Sequence, residues 1–316
     1  MNEDKILLGT SSCLLGQQVR HDGSHKRHRY LTDVLSEYFE FTSFCPEMAI
    51  GLGVPRPAIH LIERDAQVSL VNNKDESLDY TDAMLQSAKD YCQTLGQISG
   101  YVLKSKSPSC GMERVSLYQE NGYATKEGVG LFAKVLMETW PNLPVEEEGR
   151  LNDAAIRENF IERVFAYKRW QRLLENGLTV AGLMDFHKQH KFILLAHHEQ
   201  IYRQMGKLVA ETRKDNLSDN AEQYISLFFQ AMRNHASRKR HVNVLQHGMG
   251  YLKNELEADD KAELLDLFEK YAKGLVPLVV PITMMKYHFR KHPHDYIKDQ
   301  LYMDPYPAEL MLRNHV

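Results

Sequence analysis

Three short apolar runs in the first 110 residues each end in a cysteine, and that recurrence limits what the chain can fold into. Ile6-Leu7-Leu8 leads through Thr10-Ser11-Ser12 to Cys13-Leu14-Leu15-Gly16, and residues 39–44 lead to Cys45-Pro46-Glu47. Tyr101-Val102-Leu103 leads into Lys104-Ser105-Lys106-Ser107-Pro108-Ser109-Cys110-Gly111. Runs this short and apolar read as buried strands. Core packing does not ask for a loop of three serines, two lysines, a proline and a cysteine; a loop at a strand end presents side chains to a ligand. Helical spacing falls between the runs, over residues 30–40 and about 79–97, and again near 129–139. Strands alternating with helices predict a Rossmann-like parallel α/β sheet. Right-handed crossovers would then bring all three cysteine loops to the C-terminal strand ends. Within this part, residues 51–57 hold two prolines and two glycines and are neither helix nor central strand, while 59–63 and 67–71 read as a hairpin or edge strands.

At 316 residues the chain suggests two domains, since one core seldom grows past roughly 250–300 residues. Residues 141–151, rich in Pro and Glu, read as a linker. Beyond Asn152 long helical patterns dominate, at about 153–175, 179–212, 217–254, 259–273 and 283–291, predicting an all-α second domain. The assignment is 1–145 for the α/β domain and 146–316 for the helical one. No apolar run approaches the ~18–20 residues of a membrane span, and Met1 to Lys5 lacks the basic start and apolar core of a signal peptide. Cys13, Cys45, Cys92 and Cys110 are too few for a secreted disulfide framework, so a cytoplasmic protein is expected. The first 150 residues carry 15 Lys+Arg against 21 Asp+Glu; the remainder carries 24 against 21 and 11 of the 15 histidines. That asymmetry suits a C-terminal half that meets something anionic.

Cys92, in mid-helix, reads as a small core hydrophobe. Any one of the other three could be the same, but their joint placement after strands argues otherwise. A disulfide would leave one unpaired, and no motif nominates a histidine base for a lone nucleophile. Three thiolates suit zinc or an iron–sulfur cluster, although the close Cys pairs of zinc sites are absent. Three cysteines from distant loops can hold three irons of a 4Fe–4S cluster and leave the fourth open to a sulfur-bearing substrate. Glu47, two residues after Cys45, is placed for general acid/base work. Ser105, Ser107 and Ser109 offer donors and acceptors at the same point. Arg20 and Asp22 are further polar candidates, and Arg56 is a candidate to hold an anionic or carbonyl group. Each also reads as an ordinary turn or salt-bridge residue.

Cys13-Leu14-Leu15-Gly16 with Val19-Arg20-His21-Asp22-Gly23, Cys45-Pro46-Glu47 with Gly51-Leu52-Gly53-Val54-Pro55-Arg56, and the 104–111 loop together resemble the thiouracil desulfidase (TudS) family over residues ~5–145. The resemblance implies a 4Fe–4S cluster on Cys13, Cys45 and Cys110 with one open iron, and sulfur removal from a thiocarbonyl without net redox change. It implies Glu47 and Ser107 as catalytic residues, with Ser105 as the alternative serine. Arg20, Asp22, Arg56, Lys104 and Ser109 are the expected substrate-binding set. His21 stands where Tyr is common in that family. The second half carries Phe186-His187-x-x-His190-Lys191-Phe192 and Arg238-Lys239-Arg240-His241-Val242-Asn243-Val244-Leu245-Gln246-His247. Those motifs resemble a domain of formerly unknown function found fused to such desulfidases, and the two-domain layout resembles tRNA 4-thiouridine desulfidases, in which the helical domain binds RNA.

The residues of that domain agree in sign. Arg233, Arg238, Lys239 and Arg240 form one basic cluster, and Lys286, Arg290 and Lys291 another. Interleaved Tyr287, Phe289 and Tyr296 offer rings to bases while the cations meet phosphates. Solvated helix faces with aromatic core residues are the plainer account. His187, His190, His197 and His198 do not make a convincing zinc site. Expected partners are therefore tRNA or a small thiolated base, and no membrane. The alternatives are desulfuration of free 2- or 4-thiouracil, and an RNA-binding or regulatory protein whose cluster is structural or senses iron.

Overall fold

A computed structural model describes residues 5–315. Met1 to Asp4, on which the signal-peptide reading largely rests, lie outside the described residues. The chain divides into two compact units, residues 1–152 and 153–316.

The first unit is built on a parallel sheet. Strand β1 (Ile6–Ser11) is followed by a short 3-10 turn (Ser12–Leu15) closed by Gly16 at φ +92°. The helix expected over 30–40 is reduced to irregular turns, Tyr30–Val34 and Leu35–Glu37, because Phe39 and Glu40 already belong to strand β2 (Phe39–Phe44). A four-residue helix, α1 (Pro46–Ala49), follows Cys45 directly. The hairpin β3 (Ile59–Arg64) and β4 (Gln67–Asn72) forms as expected, then helix α2 (Thr81–Thr94) with Cys92 buried. Strand β5 (Tyr101–Leu103) delivers the serine loop. A second hairpin, β6 (Val115–Gln119) and β7 (Ala124–Gly128), was not anticipated, although Asn121-Gly122 between two alternating runs is a strong hairpin signal. Helix α3 (Leu131–Thr139) and strand β8 (Val145–Glu147) complete the unit.

Strand order in the main sheet is β2-β1-β5-β8, all parallel; β4-β3-β6-β7 form a second sheet. The chain order reverses between β1 and β5, and ligands of open α/β sheets bind at the carboxyl ends flanking such a reversal. Cys13 follows one of those strands and Cys110 the other. Leu8, Phe39, Tyr101 and Phe132 are fully or almost fully buried, each contributing on the order of 1.5–3 kcal/mol. Residues 141–151 are not the linker expected from their composition: Val145, Glu146 and Glu147 are buried and pair in register with Tyr101, Val102 and Leu103. Their charges misled because the carboxylates find partners inside the unit rather than water.

The second unit is all-α: α4 (Ala154–Glu175), α5 (Val180–His197), α6 (Glu199–Glu211), α7 (Leu217–Met232), α8 (Arg238–Gly250), α9 (Ala258–Ala272), α10 (Val279–Lys291) and α11 (Asp295–Lys298). The pattern over 179–212 breaks at His198, which is extended and accepts from Ile201 N at 3.3 Å as the cap of α6. The pattern over 217–254 breaks before Ser237, which caps α8 in the same way. One aromatic-rich core, including Trp170, Phe186, Phe192, Tyr224 and Phe228, joins these helices. Among the described residues no helix is long and apolar enough to cross a membrane.

Candidate active site

The three cysteine loops line one cavity of about 330 Å³ at the C-terminal edge of the main sheet. Cys13, Cys45 and Cys110 are all free thiols on its wall. Each is placed by local chemistry. Cys13 sits in the turn after β1, and its carbonyl accepts from Lys26 N at 2.9 Å. Cys45 is the last extended residue before Pro46 opens α1, a first-turn position that proline tolerates. Cys110 ends a loop whose close approaches require glycine: a Cβ on Gly111 would lie 2.4 Å from Val115 Cγ2, and one on Gly130 2.5 Å from Ser109 O. The same loop satisfies the start of α3, where Leu131 N donates to Pro108 O (3.1 Å) and Ala133 N to Ser109 O (3.1 Å).

Burial pushes the Cys13 thiol up to about 11, with Cys45 adding to the rise and Lys104 and Arg20 opposing it. Burial also raises Cys45, and raises Cys110 well above the ordinary thiol range, the neighbouring Glu47 and cysteines adding to the latter. Three neighbouring thiolates, two buried and one half-buried, are therefore costly unless a cation sits among them, and a bound metal centre reverses that balance. Among the described residues no three or more His, Cys, Asp or Glu side chains converge closely enough to hold a single ion. Three soft sulfur donors around one cavity suit an iron–sulfur cluster by the chemistry of the donor set.

Glu47 and Arg56 form the polar counterpart of the thiols. The Arg56 guanidinium pairs with Glu47 Oε2 and also donates to Val19 O (2.9 Å) and Gly53 O (2.9 Å). Its side chain is 4 % exposed and that of Glu47 18 %, so a buried cation holds an accessible carboxylate in place. Ser109 Oγ donates to Glu47 Oε1 at 2.9 Å. Ser109 is fully buried, beneath the carboxylate rather than open to the cavity. Ser107 lines the cavity, and its Oγ accepts from Ser109 N (3.2 Å) and Cys110 N (3.1 Å), leaving the hydroxyl proton to give. His21 lines the cavity, and its carbonyl accepts from Arg56 N at 2.9 Å.

Ser105 and Lys104 are held by a residue that the sequence did not nominate. Glu148, just past β8, accepts from Lys104 Nζ (2.5 Å), Ser105 N (2.7 Å) and Ser105 Oγ (2.9 Å). Burial works to raise its carboxyl, but the hydrogen bond and charge of Lys104 with the Ser105 bonds outweigh this and hold it below the usual range. Glu147 accepts from Met112 N at 2.8 Å and braces the far end of the same loop. Arg20 lines the cavity; its Nε is buried without a hydrogen bond, 3.7 Å from Asp22. Asp22 itself is outside the lining, exposed, and drawn down to about 2 by hydrogen bonds from Ser24. Its placement is that of a turn residue.

The basic clusters of the helical unit lie on α8 and its approach and on α10. Arg233 follows α7, Arg238 and Lys239 open α8 on its exposed side, and Arg240 donates to His197 O at 2.6 Å. Lys286 pairs with Asp304 at 2.6 Å, Arg290 lines a cavity with it, and Lys291 lies 4.7 Å from the Tyr287 ring. Tyr287 is 40 % exposed, whereas Phe289 and Tyr296 pack against the core, so the three rings do not form one stacking platform. His187 and His190 are held neutral, pushed down by burial to about 4 and about 3.

Comparisons with known proteins divide the chain along similar lines. Residues 8–148 match the model of the 2-thiouracil desulfurase family, and residues 191–307 that of a family described as a protein of unknown function, DUF1722. An uncharacterized protein YbgA of Escherichia coli (strain K12) is 31 % identical over 153 residues, 48 % of this chain and 90 % of that one. A solved [4Fe-4S]-dependent thiouracil desulfidase, TudS, is 32 % identical, with 48 % of this chain and 94 % of that chain covered at a TM-score of 0.36. The chain belongs to the 2-thiouracil desulfurase family through its α/β unit and carries a DUF1722 domain in its helical unit.

Proposed function

We propose that the α/β unit is a desulfidase that replaces the thiocarbonyl sulfur of 4-thiouridine in tRNA with oxygen, using a 4Fe–4S cluster held by Cys13, Cys45 and Cys110. The observation that carries the reading is the cavity itself, where two buried thiols and the half-buried Cys45 share the lining with a carboxylate fixed by a buried arginine. Bound there, the cluster supplies a Lewis-acidic iron open to a soft sulfur atom. The reaction balances without an electron donor: C=S and water give C=O and H₂S. Glu47 takes the proton of the attacking water at one carboxylate oxygen and returns it toward the departing sulfur. Arg56 and Ser109 hold that carboxylate in place. Ser107 offers its hydroxyl proton to the base or the incoming oxygen. Lys104, oriented by Glu148, and Arg20 favour an anionic or carbonyl-bearing base in the cavity. A structural cluster would not need a positioned carboxylate, which favours the enzyme over a regulatory protein.

The tRNA assignment rests on the fused helical unit and its surplus of basic residues. Anaerobic reconstitution with iron and sulfide, followed by tRNA containing 4-thiouridine, tests it through loss of that base's near-ultraviolet absorbance. Free 4-thiouracil is run in parallel. Loss on tRNA supports the proposal. Turnover of the free base alone would replace tRNA as the substrate, and no turnover of either would overturn the desulfidase assignment.

A further inference from the structure

The helical unit contains a second cavity, of about 260 Å³, with buried ionised groups in its floor. Glu162 and Arg313 are almost fully buried there, 3.5 Å apart. Glu162 Oε2 lies 2.9 Å from His197 Nε2. Glu158 Oε1 accepts from Tyr306 OH (2.9 Å) and Arg313 Nε (3.3 Å). Its other oxygen meets the His315 imidazole at 3.6 Å, beyond hydrogen-bond length, and so retains acceptor capacity. Burying two carboxylates and a guanidinium is weak as a stabilising device, since apolar residues of similar volume usually do as well or better. Such a group in a cavity therefore marks a binding site more readily than a brace.

The lining selects the ligand. A bare anion would be repelled by Glu158 and Glu162, and a bare cation by Arg313 and Arg238. Arg238 stands at the exposed rim, its guanidinium against Gly274, where an added Cβ would come within 3.0 Å of it. Among the described residues that guanidinium has no ion pair. Tyr271 and Leu278 supply an apolar wall. The cavity thus offers an acceptor on the floor, an apolar wall and a cation at the rim, in a volume of about 260 Å³, just below the ~300–1,000 Å³ usual for ligand sites, so that it holds a small ligand whose charged end stays at the rim. A molecule with paired hydroxyls, a flat ring and a phosphate satisfies all three. Carboxylates commonly recognise ribose hydroxyls in this way.

We propose that this cavity binds a ribonucleotide unit with a free 2′,3′-diol, the diol on Glu158 and the 5′-phosphate on Arg238. A free nucleotide and the 3′ end of an RNA share this chemistry. The inference goes beyond the desulfidase reading and does not depend on it.

Calorimetric titration of the full chain tests it, using the four ribonucleoside 5′-monophosphates, their 2′,3′-dideoxy counterparts, and a short RNA ending in a 3′-hydroxyl or a 3′-phosphate. The expected result is binding of a diol-bearing ligand that weakens about tenfold or more without the diol, or about 1.4 kcal/mol. Arg238→Ala, at the exposed rim, should weaken it similarly with the fold intact. Glu158→Gln, checked for folding by circular dichroism, should reduce the preference for the diol. Binding of the 3′-hydroxyl RNA but not of nucleotides would identify an RNA end as the source, and the reverse a free nucleotide. No binding by either, or binding indifferent to the diol or to Arg238→Ala, would overturn the proposal.

Discussion

The α/β unit assembles its polar site from loops at strand ends, whereas the helical unit assembles its own from side chains within helices. In the first, the sheet sets loop positions, and residues far apart in sequence, Cys13, Cys45, Glu47 and Cys110, meet at one edge. In the second, Glu158 and Glu162 are one helical turn apart on α4 and face the cavity because the helix does. A loop site can change its chemistry at modest cost to the core. A buried helical site cannot, because the charges in its floor, Glu158, Glu162 and Arg313, are balanced by one another within the packing. The contrast teaches that a side chain can be changed in the first site with little effect on packing, whereas removing one charge of the second leaves another buried without its partner.

Four measurements test that contrast. Glu47→Ala should lower turnover by about 10²–10⁴-fold while iron and sulfide content and the visible spectrum stay unchanged; undiminished turnover would remove Glu47 from the chemistry. Arg313→Ala leaves Glu158 and Glu162 buried without their shared cation and should destabilise the helical unit by about 3–5 kcal/mol in urea. A loss under about 1 kcal/mol would show that the buried charges are hydrated. Acid should unfold the helical unit early. Burial holds His241 and His190 at about 3 and His187 at about 4, all below the ordinary 6.5. For Glu162, burial works upward, but His197 and Arg313 outweigh it and hold the carboxyl at about 2 rather than 4.5. In each case the unfolded chain takes up protons at higher pH than the folded one, so stability is complete above about pH 6.5 and falls toward pH 3. Trp170 lies in this unit and Trp140 in the other, so the fluorescence of a Trp140→Phe variant follows the helical unit alone. Its signal holding steady down to pH 3 would refute the assignment. The smallest effect belongs to Glu148→Gln, which should slow turnover about tenfold by loosening Lys104 and Ser105, with iron content retained. A change in KM alone would place those residues in binding rather than in the reaction.

Much of the first site was legible because its residues contradict their surroundings. Cysteine, serine and lysine after an apolar strand have no packing reason to be there, and Glu47 follows Cys45 too closely to point elsewhere. Glu148 was not legible. Three consecutive glutamates after Pro144-Val145 look like a solvated linker, and only the pairing of β8 with β5 turns them inward. The β6–β7 hairpin carried a signal in Asn121-Gly122 that was outweighed by the polarity around it. In the helical unit the sequence suggested basic clusters for RNA. The tertiary structure sets the two clusters beside separate cavities, Arg238 at one and Lys286 and Arg290 at another. It also folds Phe289 and Tyr296 against the core.

The sequence alone determined the two fold classes, through short apolar runs alternating with helical spacing that give way to long helical patterns, and it determined the three thiols, through their type and their place after strands. Both are local properties, carried by neighbours along the chain. Tertiary structure decided which carboxylates serve those loops and where the helical unit buries its charges. Those outcomes depend on contacts between residues far apart in sequence, 155 positions between Arg313 and Glu158, and no local pattern records them. A charged side chain reads the same in sequence whether water or a buried partner neutralises it, and packing makes that choice.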